Sequence, residues 1–287
     1  MAIKDKSGKY LESYNDVFAD IFNVLVFEKE LIIPELLVSA GTETVYKAED
    51  GDLKNQIRDI HKYYNESDVQ IASLGIENQS DEDEDMVIRV LGYDYASYRE
   101  QIASRDSRRY PVITIVLNFS NRRWSKPKTL MGMFDISDEL KEYVEDYRIK
   151  VYDIAYLSKE VRDKFKSDFK IVADFFAEKR MGTYNLREHR EKIKHVEAVL
   201  EMLKAYTKDE RYGEIEETII ENNREGSVTM CEILDEYINR GLREGREEIL
   251  LRLVIKEKIT VEEAVEELEI SREEFEEKLE KFSISNE

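Results

Sequence analysis

The chain has one cysteine, Cys231, in 287 residues. That excludes an intramolecular disulfide and any zinc cluster built on several cysteines. Histidine is nearly as scarce: His61, His189 and His195 are too scattered in sequence to suggest a metal triad. No apolar run reaches membrane-spanning length, and the first residues show no apolar stretch between a basic flank and a cleavage site. A cytoplasmic protein with no membrane partner is expected. A Gly-rich phosphate cradle is also missing. The acidic run Asp81-Glu-Asp-Glu-Asp85 lacks the glycine and the spaced final glutamate of an EF-hand loop. It is expected to be a solvated loop leading into a helix, where acids favour the N-terminus.

What is present is enough for a packed core: 41% of residues are hydrophobic, in a chain long enough for one substantial domain and a smaller appendage. The formal net charge is −20, which opposes non-specific binding to nucleic acid, because such binding comes mainly from Lys and Arg on phosphates. Distribution matters more than the total. Arg105, Arg108, Arg109, Arg122, Arg123, Lys126 and Lys128 face one acid, Asp106, across residues 105–128. They bracket an apolar strand, with Trp124 expected to be available for base stacking. This is the best candidate DNA-binding surface in the chain.

The strongest chemical signal is Ile71-Ala-Ser-Leu-Gly-Ile-Glu77-Asn78-Gln79, an apolar run that ends in a carboxylate with an amide two residues on. It reads as a buried strand. Alternation then puts Glu77 and Gln79 on one face at its end. A carboxylate there is costly without a partner, and a divalent cation is a common one. Asp59 lies in a preceding strand-like segment, with a hairpin connection expected near residues 64–67 and Asp68 opening the next strand. Adjacent antiparallel strands would bring Asp59 and Glu77 together, as a pair able to hold Mg²⁺.

Along the chain, residues 10–30 read as a helix. Strand-like segments follow near 43–48, 55–61 and 68–77, then a helix near 86–103, a strand at 111–119, a short helix near 137–146 and a strand near 149–157. That order predicts an α/β protein with a mixed sheet flanked by helices. From about residue 160 the pattern is helical, giving a C-terminal all-helical extension. The domains expected are 1–160, 161–250 and 251–287. The last segment carries two capping-box patterns, Thr260-Val-Glu-Glu263 and Ser271-Arg-Glu-Glu274. With ten acids and three bases over residues 260–281 it would be repelled by DNA. Its apolar stripe (Ala264, Val265, Leu268, Phe275, Leu279) is expected to pack on another subunit, giving a homo-oligomer through the C-terminal helices, or on the preceding helix.

The order Asp16-Val-Phe18, Arg58-Asp59 and Ile76-Glu77-Asn78-Gln79 resembles the recombination-promoting nuclease (Rpn) and putative transposase family, within the PD-(D/E)XK nuclease superfamily. Met86-Val-Ile-Arg89-Val-Leu-Gly-Tyr93, Tyr110-Pro-Val-Ile-Thr-Ile-Val-Leu-Asn118, Pro127-Lys128 and Met230-Cys-Glu-Ile-Leu-Asp235 follow in the family's order. The resemblance implies a restriction-endonuclease-like sheet, with Asp59 and Glu77 as metal ligands. Gln79 falls where the superfamily has its catalytic lysine, and Asp16 where related nucleases often place an auxiliary acid. Arg58 replaces the superfamily's proline. An amide can orient water but supplies no charge, so Arg89 is the candidate cation for the phosphate, with Lys62 a weaker one. The reading is a Mg²⁺-dependent endodeoxyribonuclease (Mn²⁺ as a substitute) associated with recombination or mobile elements. Catalytic roles go to Asp59, Glu77, Gln79, Asp16 and Arg89, and metal ligation to Asp59, Glu77 and the Asn78 carbonyl. The alternative is a catalytically inactive nuclease fold acting as an interaction or assembly module.

Overall fold

The protein is described by a computed structural model covering residues 9–40, 43–47, 53–57, 59–66, 69–104, 108–185, 189–207, 212, 228–268 and 270–285. Its organising element is the strand β5, Val69–Gln79. Residues 72–78 are buried without interruption, so both faces of the strand are covered and it lies inside the sheet. β4, Ile60–Glu66, pairs antiparallel with it, Ile60 opposite Ile76, with a bulge at Tyr64 and Asn65. β1, Leu37–Ser39, borders β4. On the other side β6, Val112–Asn118, and β7, Lys150–Asp153, run parallel to β5. The five-stranded sheet is therefore mixed, in the order β1-β4-β5-β6-β7. β2, Glu43–Lys47, and β3, Leu53–Ile57, form a separate hairpin.

Parallel neighbours need a crossover, and α2, Met86–Ala103, supplies it between β5 and β6. Its Met86, Val87 and Val90 bury against Val116 of β6 together with Trp124 and Ile149. Buried Asp94 ties α2 to the sheet, accepting from the Thr114 hydroxyl at 2.6 Å and the Tyr147 hydroxyl at 2.5 Å. The opposite face of the sheet carries α1, Asn15–Phe22, which continues into a π-turn at Asn23–Phe27. Two short helices, α3 (Asp138–Lys141) and α4 (Lys159–Arg162), lie in the connections that follow β6 and β7. α5, Phe169–Met181, and α6, Val196–Thr207, join α1 in one core with Leu74, Ile76, Ile115 and Leu117. That core also takes in Met230 and Ile233 from the start of α7, Met230–Ile255. The ladder β8, Lys192–Ile193, with β9, Val228–Thr229, delivers the chain to α7, and a capping box of Thr229 with Glu232 starts the helix.

α8, Val261–Leu268, and α9, Arg272–Ser285, fold back on the end of α7, where Leu251, Ala264 and Phe275 are buried together. The apolar stripe of the acidic tail is thus used on the preceding helix. Thr260 forms its expected capping box with Glu263. Among the described residues no helix is long and apolar enough to cross a membrane.

The mixed sheet and flanking helices are as the sequence pattern predicts. The segment read as one strand over 55–61 is two: β3 ends at Ile57 and β4 begins at Ile60, with Asp59 in the bend between them. β4 runs on through Glu66, so the turn expected near 64–67 falls later, and Asp68 lies outside the described residues. Arg58, Arg105, Asp106 and most of residues 208–227, in the region expected to be helical, also lie outside them. The strand expected to 157 stops at Asp153 and closes in a 3₁₀ turn.

Ile76 is fully buried beside Glu77 on the α1 face. Ile76→Ala should cost about 2–5 kcal/mol through lost transfer energy and the cavity left behind. Urea unfolding of both proteins measures it.

Candidate active site

The carboxyl end of β5 carries the site. Glu77 is fully buried on the α2 face, and Asn78, 3% exposed, points to the α1 face. Because β4 and β5 are antiparallel with Ile60 opposite Ile76, Asp59 falls beside Glu77. Two hydrogen bonds lock the pair: the Asp59 amide donates to Glu77 Oε1 at 3.1 Å, and the Asn78 amide donates to Asp59 Oδ2 at 2.9 Å. Each carboxylate is thus oriented by the other's strand. Gln79 emerges half-buried at the exit of the same strand, and its carbonyl accepts from the Phe119 amide at 2.8 Å.

Two cations flank the pair. Lys9 Nζ lies 2.8 Å from Asp59 Oδ1. Arg89, one turn into α2, reaches Glu77 Oε2 at 3.6 Å, Asp83 Oδ2 at 2.6 Å and the Tyr93 hydroxyl at 3.2 Å. The structure thus brings Asp59, Glu77, Asn78 and Arg89 together.

Asp16 does not join them. It accepts from Lys194 Nζ at 2.7 Å and His195 Nε2 at 3.0 Å, on the far side of the α1 helix start. Burial pushes its carboxyl up, but these two bonds more than offset that and hold it below the ordinary range. The acid that does join is Glu12, fully buried, with Oε2 accepting from Asn78 Nδ2 at 2.6 Å. Its Oε1 has no hydrogen-bond partner among the described residues. The reason is a break. Helical residues 9–12 are separated from α1 by a turn at 13–14, so the i, i+4 relation of Glu12 to Asp16 is lost. Lys62 holds that break from inside, donating to the Ser13 carbonyl and to Asn15 Oδ1, each at 2.7 Å. Lys62 is thereby committed to the α1 face, and burial lowers its pKa. His61 is buried and 2.6 Å from the Ser73 hydroxyl, a structural role. Glu12 and Lys9 carried no signal in the sequence beyond being charged residues ahead of an apolar helix.

The basic segment is divided by the sheet. β5 and β6 are parallel with Gln79 beside Asn118, so the loop after β6 lies at the same end as Glu77. Arg122, Arg123 and Lys126 are on that side, Lys128 runs back beside Ile149 ahead of β7, and Arg108 and Arg109 sit before β6, a strand length away. Asn118 and Asp153 brace the loop: Asn118 Nδ2 donates to the Arg122 carbonyl at 2.9 Å, and Asp153 Oδ1 accepts from the Trp124 amide at 2.9 Å. Trp124 itself is buried against α2, not available for stacking, because the loop turns its ring into the core. Arg123 instead lies 4.6 Å over the Tyr156 ring. The acidic run is not simply solvated either. Asp83 binds Arg89, Glu84 binds Lys126 and Glu82 accepts from Ser125, since the basic loop lies within reach. A cavity of about 390 Å³ opens at this end, lined in part by Ser80, Phe119, Arg122, Lys179 and Tyr206.

The donor set at Asp59, Glu77 and Glu12 is all oxygen, the chemistry that suits a hard divalent cation. Glu12 Oε1, on the α1 side and near enough to Asp59 to feel its charge, is a buried acceptor that a cation or its water would satisfy. Elsewhere Asp174, His189 and Glu191 come within 4.8 Å of one another. Arg162 and Lys170 hold Asp174, and Glu178 holds His189 at 3.0 Å, so that cluster is already an ion-pair network.

The five-stranded mixed sheet with helices on both faces defines a restriction-endonuclease-like α/β protein. Residues 52–210, more than half of the chain, match a family described as "Putative transposase, YhgA-like", and the protein belongs to that family. No curated protein and no solved structure matches it.

Burial pushes the Glu12 carboxyl well above the ordinary range, with the nearby Asp59 charge adding to it and the Asn78 bond and Lys9 opposing. A raised folded-state pKa means that the folded protein binds this proton more tightly. The cost is absent below the unfolded carboxylate range, grows as pH rises toward the folded pKa and is full above it. Glu12→Gln, measured by thermal unfolding in EDTA, should therefore raise the midpoint over wild type at pH 8, by about 2–4 °C per kcal/mol. That gain should shrink as pH falls toward 5.

Proposed function

We propose that the protein is a Mg²⁺-dependent DNA endonuclease, and that Asp59, Glu77, Glu12 and the Asn78 carbonyl hold the cation. The observation carrying this reading is the crossed pair of hydrogen bonds between the Asp59 and Asn78 backbone and the two carboxylates. It fixes two acids at the open end of a central strand, next to Arg89 and the basic loop. A bound divalent cation would acidify a water and withdraw charge from the scissile phosphate. The chain's own contributions are separable. Glu77 and Asp59 are oriented before anything binds, so no reorganisation is needed at the moment of reaction. Gln79, on the same strand, can accept or donate a hydrogen bond and so orient the attacking water without adding charge. Arg89 takes the electrostatic role of the superfamily's lysine: exchanging Asp83 for a phosphate oxygen leaves it beside Glu77. Arg122, Arg123 and Lys126 supply phosphate contacts on the same side. Membership of a family described as a putative transposase supports a link to recombination or mobile elements.

A second reading, a nuclease fold retained as an interaction module, draws on one contact. Lys9 lies 2.8 Å from Asp59, so an ammonium already neutralises a ligand oxygen.

Nicking of supercoiled plasmid, with Mg²⁺ or EDTA, separates the readings. The nuclease should nick only with the metal, and Glu77→Ala should reduce the rate by about 100-fold or more. Nicking that is absent, or equal in wild type and variant, favours the interaction module.

A further inference from the structure

The cations nearest Asp59 and Glu77 are matched to acids: Lys9 to Asp59, Arg89 to Glu77 and Asp83, Lys126 to Glu84. At the same end of the sheet four others are not. Arg122 and Arg123 lie in the loop after β6, and Lys179 and Arg180 in the last turn of α5, all of them exposed. Among the described residues none of the four is paired with a carboxylate. The chain has 64 acids to 44 bases, so counter-charge is plentiful elsewhere.

The four are also crowded. The Arg123 guanidinium lies 4.6 Å from the centroid of the Tyr156 ring and that of Arg180 4.3 Å from it, so two like charges share one ring. Arg180 is fixed there by donating from Nε to the Ala155 carbonyl at 2.7 Å, and Tyr156 by donating its hydroxyl to the Asn121 carbonyl at 3.1 Å. A helix C-terminus favours basic residues, which accounts for Lys179 and Arg180 singly. It does not account for bringing Arg123 to the same ring. Like charges held together repel, cation–π contact offsets part of that, and an anion between them would offset the rest.

The cavity of about 390 Å³ is lined by both Arg122 and Lys179. Ser80, which follows Gln79, lines it as well, so it adjoins the carboxyl end of β5. Its walls include Phe119, Phe176 and Tyr206, three rings packed with centroids 5.0 to 5.3 Å apart. Lys179 Nζ lies 5.1 Å over a fourth ring, Phe175. A space of this size takes one small-molecule-sized group and cannot admit a duplex. Exposed Asp81 is also in the lining, and a carboxylate suits the N–H donors of a base edge, not a phosphate. Rings, an acceptor for the base edge and unpaired cations at the rim are the parts by which proteins hold an unstacked nucleotide.

We propose that this cavity seats one unpaired nucleotide of a DNA strand, its base against the rings and Asp81, its flanking phosphates on Arg122, Arg123, Lys179 and Arg180. On the reading that the Glu77 site acts on DNA, on which this rests, the substrate is then DNA with a single-stranded segment at the site, in place of an intact duplex. Lys179 and Arg180, distant in sequence from the basic loop, join its binding surface through the packing of α5.

Fluorescence anisotropy of the full chain with a labelled single-stranded oligonucleotide, and with the matching duplex, tests this in EDTA, where binding is read apart from metal-dependent cleavage. The single strand should bind at least about tenfold tighter than the duplex at low salt. The double variant Lys179→Gln, Arg180→Gln, with two phosphate contacts removed, should flatten the slope of log affinity against log salt by about 1.4 for the single strand. Arg123→Gln should flatten it by about 0.7. Lys281→Gln, which removes an exposed charge from the acidic tail, should leave it unchanged. Unaltered circular dichroism shows that each variant is folded. A duplex bound as tightly as the single strand, an unchanged slope in the double variant, or an equal change in Lys281→Gln overturns the proposal and leaves the nuclease reading to the plasmid assay. Failure to bind either DNA overturns it too, and together with a silent plasmid assay removes the DNA reading itself.

Discussion

The site depends on one constraint, the crossed pair of hydrogen bonds between neighbouring strands at Asp59 and Glu77. A fully buried carboxylate is expensive unless it is bonded, and here the sheet supplies the bond from its own backbone. The register of β4 on β5 places the Asp59 amide where Glu77 can use it, and the Asn78 amide where Asp59 can. A one-residue slip would turn Glu77 to the opposite face. The bulk of the fold serves that register. Leu74 and Ile76 anchor β5 beneath α1, while Val116 and the start of α2 close the face that Glu77 occupies.

Charge is arranged around this centre in opposing pairs, not in one field. The net −20 is carried in large part by the C-terminal hairpin and the 81–85 run. That run is tied to Arg89 and Lys126, the cations that would face a phosphate. Access of a polyanion to the site therefore involves an exchange of carboxylates for phosphates, with little net gain in charge neutralisation. Binding of this kind should be weak at high salt and should gain its specificity from position more than from affinity.

Much of this was legible in the sequence, for reasons particular to certain residues. The apolar run ending at Glu77 read as a buried strand with its acid at the mouth, the order of the strands put Asp59 beside it, and Arg89 was reached through the family resemblance. What escaped was set by contacts distant in sequence. Asp16 was taken from the family resemblance, and nothing in a helix read as continuous over residues 10–30 pointed to Glu12. The break at 13–14, pinned by Lys62 from a strand some 50 residues later, rotates one acid to His195 and the other to Asn78. Trp124 has an exposed, basic sequence neighbourhood, yet its ring fills a gap beneath α2. Arg108 and Arg109 looked continuous with Arg122 and Arg123 until a strand separated them. The family match and the motif order agree on membership, whereas the chemistry belongs to the geometry at Glu77.

The central claim is that Asp59 and Glu77 act together as a ligand pair for one divalent cation. Titration of the metal-free protein with Mn²⁺, followed by electron paramagnetic resonance of the unbound ion, tests it most directly. The account predicts a saturable site in wild type whose affinity falls at least about tenfold in both Asp59→Asn and Glu77→Gln, since each removes a charged oxygen ligand. Equal Mn²⁺ binding by all three proteins, or no saturable binding by wild type, would contradict it.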